Sequence, residues 1–274
     1  MSIKSILAAY SGDAAGSSGL GLAMFLARAH EAHLTGVVWR GPSPVESRFH
    51  NFMTRDVLDM LKRREAEVAT EIRDGFKARI AADGNGLQTS FIDLENSAEF
   101  SLSKCAQTYD LVVMGKRAAA VGREHMAARP DVVALRSGRP VILVPHDYQA
   151  RSLGKKAVFA WDGKRAAARA FGDAIPLLAP GAEITVLSIG EAPSNGVGDD
   201  MVGLLRRHGM SAHSVVRSSG VGGVSGALMD GCREFGADLM VMGAYEHSKF
   251  REDILGGVTQ DILEGAHLPV LMSH

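Results

Sequence analysis

The residues whose types and spacing could do chemistry lie in one late stretch, Met242-Gly-Ala-Tyr-Glu-His-Ser-Lys-Phe-Arg-Glu-Asp-Ile-Leu-Gly256-Gly257-Val258-Thr259. An apolar strand pattern ends at Gly243. Glycines return at Gly256 and Gly257, where a helical pattern begins. Glycine lets a backbone approach a ligand closely. The start of a helix presents unpaired N–H groups and the positive end of its dipole. Together they can hold a phosphate group. Spacing alone does not separate this reading from a tight strand exit followed by an ordinary helix start. His247 lies in the same stretch, either as a phosphate contact or as an exposed loop histidine.

Other motifs offer less. There is no Gly-x-x-x-x-Gly-Lys-Ser/Thr phosphate loop and no Gly-x-Ser-x-Gly nucleophile elbow. Gly220-Val-Gly-Gly-Val-Ser-Gly226 follows a third strand and lacks the ribose acid of a dinucleotide fingerprint, so it reads as a helix lead-in. The histidines are scattered, with no His-x-x-x-His or Cys-x-x-Cys pair, which argues against a metal site. His30 and His33 flank a helix end, where a cation suits the dipole. Phosphoryl chemistry would need a positioned base and a metal-binding carboxylate. Only Asp162, Glu246 and Asp253 are eligible, and they form no recognisable constellation.

The elements that must position this loop occur twice. Asp110-Leu-Val-Val-Met-Gly115 returns as Asp238-Leu-Met-Val-Met-Gly243. Each is followed by a proline-led apolar strand, Pro140-Val-Ile-Leu-Val144 and Pro269-Val-Leu-Met272, and each half opens on a strand, at Lys4 and at Lys156. Cys105 and Cys232 precede the shared Asp-Leu in both copies, as buried thiols rather than a disulfide. A repeat this long is a duplicated domain, not a solenoid unit. Short apolar runs alternate with helical patterns, the signature of βαβ units and a parallel sheet. The expected strands are 4–9, 34–39, 87–94, 111–114 and 140–144, then 157–161, 183–189, 212–217, 239–242 and 269–272. A helical stripe from Arg48 to about Ala82 runs through Val57, Leu61, Val68, Ile72, Phe76 and Ile80, ending at Asp83-Gly-Asn-Gly86. The cluster Phe49, Phe52, Val57 and Leu61 is expected to be core or a cover for the other domain.

The predicted fold is therefore two doubly wound α/β domains, each with a five-stranded parallel sheet, over residues 1–147 and 155–274. In such sheets ligands sit beyond the carboxyl ends of the strands, where the strand order switches. The chain has 274 residues, 46% apolar and 22% charged, and a net charge of −1. That charge provides no field for nucleic acid or an anionic membrane. No apolar run approaches the length of a membrane span, and the first residues make no signal peptide. The expected location is the cytoplasm.

The late loop resembles that of the universal stress protein family. Its nucleotide-binding members carry Gly, two residues, Gly, nine residues, Gly and then Ser or Thr, with an Asp-Gly after the first strand. Gly243 and Gly256 match in spacing, Val258-Thr259 continues the pattern, and Asp162-Gly163 supplies the Asp-Gly. Glu246 stands where the second glycine belongs, and Gly257 where the hydroxyl belongs. The resemblance covers both halves and implies flavodoxin-like, HUP-type domains forming an internal pseudo-dimer, with a further homodimer as an option. It also implies that strands 141–144 and 269–272 meet or lie at an interface. The site it implies holds ATP or AMP, or another small metabolite, on Asp162, Gly163, Met242, Gly243, Glu246, His247, Gly256, Gly257, Val258 and Thr259. The function it implies is ligand sensing or interaction under stress rather than turnover. An ATP-using enzyme with weak hydrolysis or adenylation, or a scaffold with no nucleotide, are the alternatives. The first copy has Ser11 in place of the aspartate and Arg129-Pro130-Asp131 in place of the glycine pair. It reads as non-binding, with Lys116, Arg117 and Arg123 as loop cations that could attract an anion.

Overall fold

The computed structural model describes residues 2–40, 52–84, 86–94, 101–116, 129–190, 197–244 and 257–274. The first half contributes β1 (Ser5–Ala9), α1 (Ala14–His30), β2 (His33–Trp39), α2 (Arg55–Asp83), β3 (Thr89–Leu94), α3 (Ser101–Ala106), β4 (Leu111–Gly115), α4 (Pro130–Ser137) and β5 (Val141–Val144). The second contributes β6 (Lys156–Ala160), α5 (Arg165–Ala174), β7 (Glu183–Ile189), α6 (Val197–Arg207), β8 (Ser211–Arg217), α7 (Gly223–Glu234), β9 (Leu239–Gly243), α8 (Gly257–Gly265) and β10 (Val270–Ser273). The sequence pattern places this helix over 165–178, but a 3₁₀ turn takes over at Ile175–Leu177, because Pro176 has no N–H to extend the helix.

All ten strands join one sheet in the order β3-β2-β1-β4-β5-β10-β9-β6-β7-β8. Each half is parallel within itself. The halves meet at one antiparallel pair, with Val270 opposite Leu143 and Met272 opposite Val141. The two proline-led strands thus meet, as the family resemblance implied. The order switches between β1 and β4 in the first half and between β6 and β9 in the second. The antiparallel junction points the carboxyl ends of the two halves to opposite edges of the sheet.

Alternate residues of each strand face opposite sides, so the sheet has two cores. α1, α2, α5 and α6 cover one face, where Ile142, Val144 and Leu271 carry the core across the junction. α3, α4, α7 and α8 cover the other, with Val141, Leu143, Val270 and Met272 bridging. Cys232 lies in this second core, and burial pushes its thiol up to about 12. Burial also raises the half-buried Cys105 thiol. Both cysteines are free, as the spacing suggested.

The duplication extends to single hydrogen bonds. Val112 N–H donates to the Pro140 carbonyl and Met240 N–H to the Pro269 carbonyl, each at 3.0 Å. A proline can accept there but not donate, which suits it to the start of a strand. Two boundaries differ from expectation. The apolar pattern places the first helix from about residue 17 to 31, but α1 starts at Ala14, because the Asp13 carboxylate caps the Gly16 N–H at 2.7 Å. At the end of α2, Gly84 keeps φ −98 and the left-handed residue is Gly86, at φ +81.

The largest departure is α2 itself. Its buried residues are Val68, Ala69, Ile72 and Phe76. Phe52 is 86% and Val57 40% exposed, so the expected cover of Phe52 and Val57 is absent, and Leu61 is half-buried. Phe49 lies outside the described residues. The helix outruns the sheet: Phe76 packs at Gly36 in mid-β2, and Ile72 at Gly12, already past the end of β1. Residues before Ile72 continue beyond that edge.

His30 lies in the last turn of α1 and is partly buried. Burial first, and Lys4 second, lower its pKa from 6.5. A histidine with a depressed folded pKa binds fewer protons folded than unfolded, so stability falls as pH drops through 6.5. The urea midpoint is expected to fall between about pH 7.5 and 5.5, and His30→Gln to reduce that fall. An unchanged slope in the variant would assign the pH dependence elsewhere.

Candidate functional site

The second half's switch point is built from three pieces of backbone. Trp161 N–H donates to the Leu187 carbonyl at 2.9 Å, carrying the chain one residue past β6. The chain then turns at Asp162-Gly163. Gly163 sits at φ +78, in the left-handed region where a side chain is strained. Asp162 Oδ1 accepts the Lys164 N–H at 3.1 Å, and Oδ2 lies 3.9 Å from Lys164 Nζ. The aspartate is half-exposed, so the turn presents a carboxylate to solvent. α5 begins directly afterwards.

The second piece is the end of β9. The Met242 side chain packs into the second core and offers only backbone to a ligand. Gly243 lies opposite Ser273 of β10. A Cβ on Gly243 would stand 2.5 Å from the Ala167 nitrogen and 2.7 Å from the Ala166 carbonyl carbon. Gly243 and the turn from Asp162 into α5 are therefore brought together, and the glycine's close neighbour is helix backbone. The third piece is the start of α8, on the opposite face of the sheet. Gly257 is exposed there, with open space around its Cβ position. Val258 is half-buried against the second core, and Thr259 is 5% exposed. Glu246, His247 and Gly256 lie outside the described residues, as does Asp253.

Two buried polar atoms at this edge have no hydrogen-bond partner among the described residues, Trp161 Nε1 and Ser273 Oγ. Such atoms are few in native proteins, and each asks for a reason. Sequence reasoning passed over both. Among the described residues no group of histidine, cysteine and carboxylate side chains could hold a metal ion.

The first half repeats the turn with Ser11 in place of the aspartate. Gly12 sits at φ +74, matching Gly163. Ser11 takes the place of Asp162, and Asp13 caps α1 from the place of Lys164. A Cβ on Gly12 would stand 3.2 Å from Ile72 Cγ1, so α2 packs beside this turn, and Gly12 itself stays exposed. Arg40, at the end of β2, is buried and holds Asp93 of β3 through two bonds of 2.9 and 2.8 Å. Lys116 is not a free loop cation. Its amino group donates to the Glu264 carbonyl in the last turn of α8, across the junction. A cation suits that helix end. Arg117 and Arg123 lie outside the described residues.

The repeated aspartates were also missed as clamps between strand starts. Asp238 accepts the N–H groups of Gly154, Lys155 and Lys156, and Asp110 those of Lys4 and Ser5. Their recurrence directly before a strand was the available signal. They act at the amino edge, away from the candidate site.

Residues 154–274 match the model of the universal stress protein family. Residues 154–274 thus carry a universal stress protein domain, and the first half has the same fold. It resembles a universal stress protein from Archaeoglobus fulgidus over 98% of this chain and 95% of that one, with a TM-score of 0.74 at 17% identity. It also resembles a functionally unknown protein from Pseudomonas aeruginosa over 99% of this chain and 92% of that one, with a TM-score of 0.56 at 15% identity. At these identities the likeness establishes the fold. No curated protein matches the chain by sequence. Among the described residues no helix is long and apolar enough to cross a membrane.

Proposed function

We propose that this chain is a non-catalytic ligand-binding protein of the stress response. Its one adenine-nucleotide site lies at the carboxyl edge of the second half, between β6 and β9. The observation that carries this reading is the difference between the two turns. Asp162 presents a half-exposed carboxylate at its turn, whereas the equivalent position of the first half carries Ser11, with no carboxylate. The unpartnered Trp161 Nε1 and Ser273 Oγ at the same edge support it. In this reading Asp162 binds the adenosine part and the backbone at Gly256 and Gly257 meets the phosphates. Val258 and Thr259 continue the helix behind them, with Gly163 and Gly243 shaping the turn and His247 beside the phosphates. Glu246 repels a triphosphate, which favours AMP or adenosine over ATP.

Titration calorimetry on the full chain tests this. Asp162→Ala should weaken AMP binding about ten- to a hundredfold, the loss of one charge-assisted hydrogen bond. Ser11→Ala, at the equivalent position of the first half, should leave it unchanged. Glu246→Gly should tighten ATP at low salt and barely move adenosine, because the Coulomb term acts on the phosphates alone. ATP should remain intact through the titration. Loss of binding in Ser11→Ala with none in Asp162→Ala would move the site to the first half, and no adenine ligand bound at all would overturn the reading.

A further inference from the structure

We infer that the exposed amino end of α2 is a self-association arm that pairs antiparallel with the same arm of a second copy, about a two-fold axis at Met60. The inference is independent of the nucleotide site.

α2 is 29 residues long, and none of residues 52–67 is buried. From Arg55 to the level of Ile72 and Gly12 the helix runs about 25 Å, at ~1.5 Å per residue, past the carboxyl edge of the first half. Phe52, Val57 and Met60 are exposed there, Met60 at 66%. Among the described residues, three of the seven large hydrophobic side chains left exposed fall on this one arm. Clustered exposed apolar side chains mark interaction surfaces where single ones do not.

The charges name the occupant. Asp56 and Asp59 precede Met60, and Lys62, Arg63 and Arg64 follow it, all exposed. Antiparallel pairing about Met60 sets Asp56 against Arg64 of the second copy, each one turn from Met60 on the same helix face. Parallel pairing would stack like charges. The geometry also permits it. Among the described residues the body of each molecule begins at Val68, about 12 Å along the helix from Met60, so the two bodies stand at opposite ends of the paired arms. Each arm tip, at Thr54, then reaches the partner's helix near Ala66. Two such arms bury less than the ~1,200 Å² of a standard interface, so the association is weak and reversible. Intrahelical bridges from Arg64 to Glu67 at 3.0 Å and Glu71 at 3.7 Å compete for one of its charges.

Sedimentation velocity of the full chain, over a micromolar to submillimolar series, should show a monomer–dimer equilibrium that weakens with added salt. Met60→Glu places two like charges on the axis and should weaken it at least tenfold. Asp56→Arg should weaken it too, and Asp56→Arg with Arg64→Asp should restore it, since the pair is only exchanged. Both positions are exposed, and circular dichroism checks that α2 stays helical. A monomer at every concentration overturns the inference. So does a dimer indifferent to Met60→Glu, or a double variant no better than Asp56→Arg.

Discussion

Gly243→Ala is expected to cost about 3 kcal/mol of stability, while Gly257→Ala, fourteen positions along the same proposed loop, stays within about 0.5 kcal/mol of the parent. The difference lies in what each absent side chain would meet. At Gly243 a methyl group would press on the backbone of Ala166 and Ala167, at 2.5–2.7 Å. No rotamer relieves a backbone clash, so β9 or α5 must shift. α5 cannot shift freely, because Phe171 is fully buried, 4.5 Å from Phe159 and 5.2 Å from Trp161 between ring centroids. Gly257 has nothing within 4 Å of its Cβ position and already lies in a helix, where alanine is slightly preferred. In thermal melts Gly243→Ala should drop by about 6–12 °C. The same packing recurs in the first half, where a Cβ on Gly19 of α1 would come 2.8 Å from the Gly115 nitrogen. A Gly243→Ala protein that melts with the parent would reserve that glycine for ligand approach and remove the packing account.

This separates what the residues could announce from what they could not. The strands were legible because they are buried on both faces and so run continuously apolar, as in Leu111–Met114 and Leu239–Met242. The repeat was legible because equivalent positions keep equivalent duties. The meeting of β5 and β10 came from the family resemblance; two apolar strands carry no mark of their pairing partner. α2 was legible as a helix, since its period of 3.6 registers one apolar face. Periodicity says nothing of what that face meets, so Phe52 and Val57 read as covered. Gly243 was legible as a glycine needing close approach, but the approaching backbone belongs to α5, some 75 positions earlier in the chain. Lys116 read as a loop cation because its acceptor, the Glu264 carbonyl, lies in the other half. Of the site itself, the turn at Asp162-Gly163 was legible from two residues, while Trp161 Nε1 and Ser273 Oγ became candidates only once their surroundings were known.

The second large effect lies at the opposite edge. Asp238→Ala is expected to destabilise the protein by about 3 kcal/mol, and Asp110→Ala by about 2 kcal/mol. Asp238 gathers three backbone N–H groups, from Gly154 at 2.9 Å, Lys155 at 3.2 Å and Lys156 at 3.3 Å. Asp110 gathers two, from Lys4 at 2.8 Å and Ser5 at 3.0 Å. Each carboxylate ties the start of one strand to the start of its neighbour, β9 to β6 and β4 to β1. Alanine leaves those donors to water where water can reach and unpaired where it cannot. The bonds share one carboxylate and both aspartates are partly exposed, so the losses fall well short of the sum of isolated charge-assisted bonds. The third bond at Asp238 also holds a demanding turn. Gly154 sits at φ +72, and a Cβ there would lie 2.5 Å from the Leu177 carbonyl oxygen. Asp238→Asn keeps one acceptor oxygen but turns an NH₂ toward the remaining donors, so it should fall between parent and alanine. Urea unfolding midpoints order the series. AMP affinity of the folded Asp238 variants should match the parent, because the clamp sits at the amino edge and the proposed site at the carboxyl edge of the same strands. Equal losses at Asp110 and Asp238 would show that the extra bond contributes nothing. A fall in AMP affinity without a fall in stability would mean the two edges are coupled through β6 and β9 rather than independent.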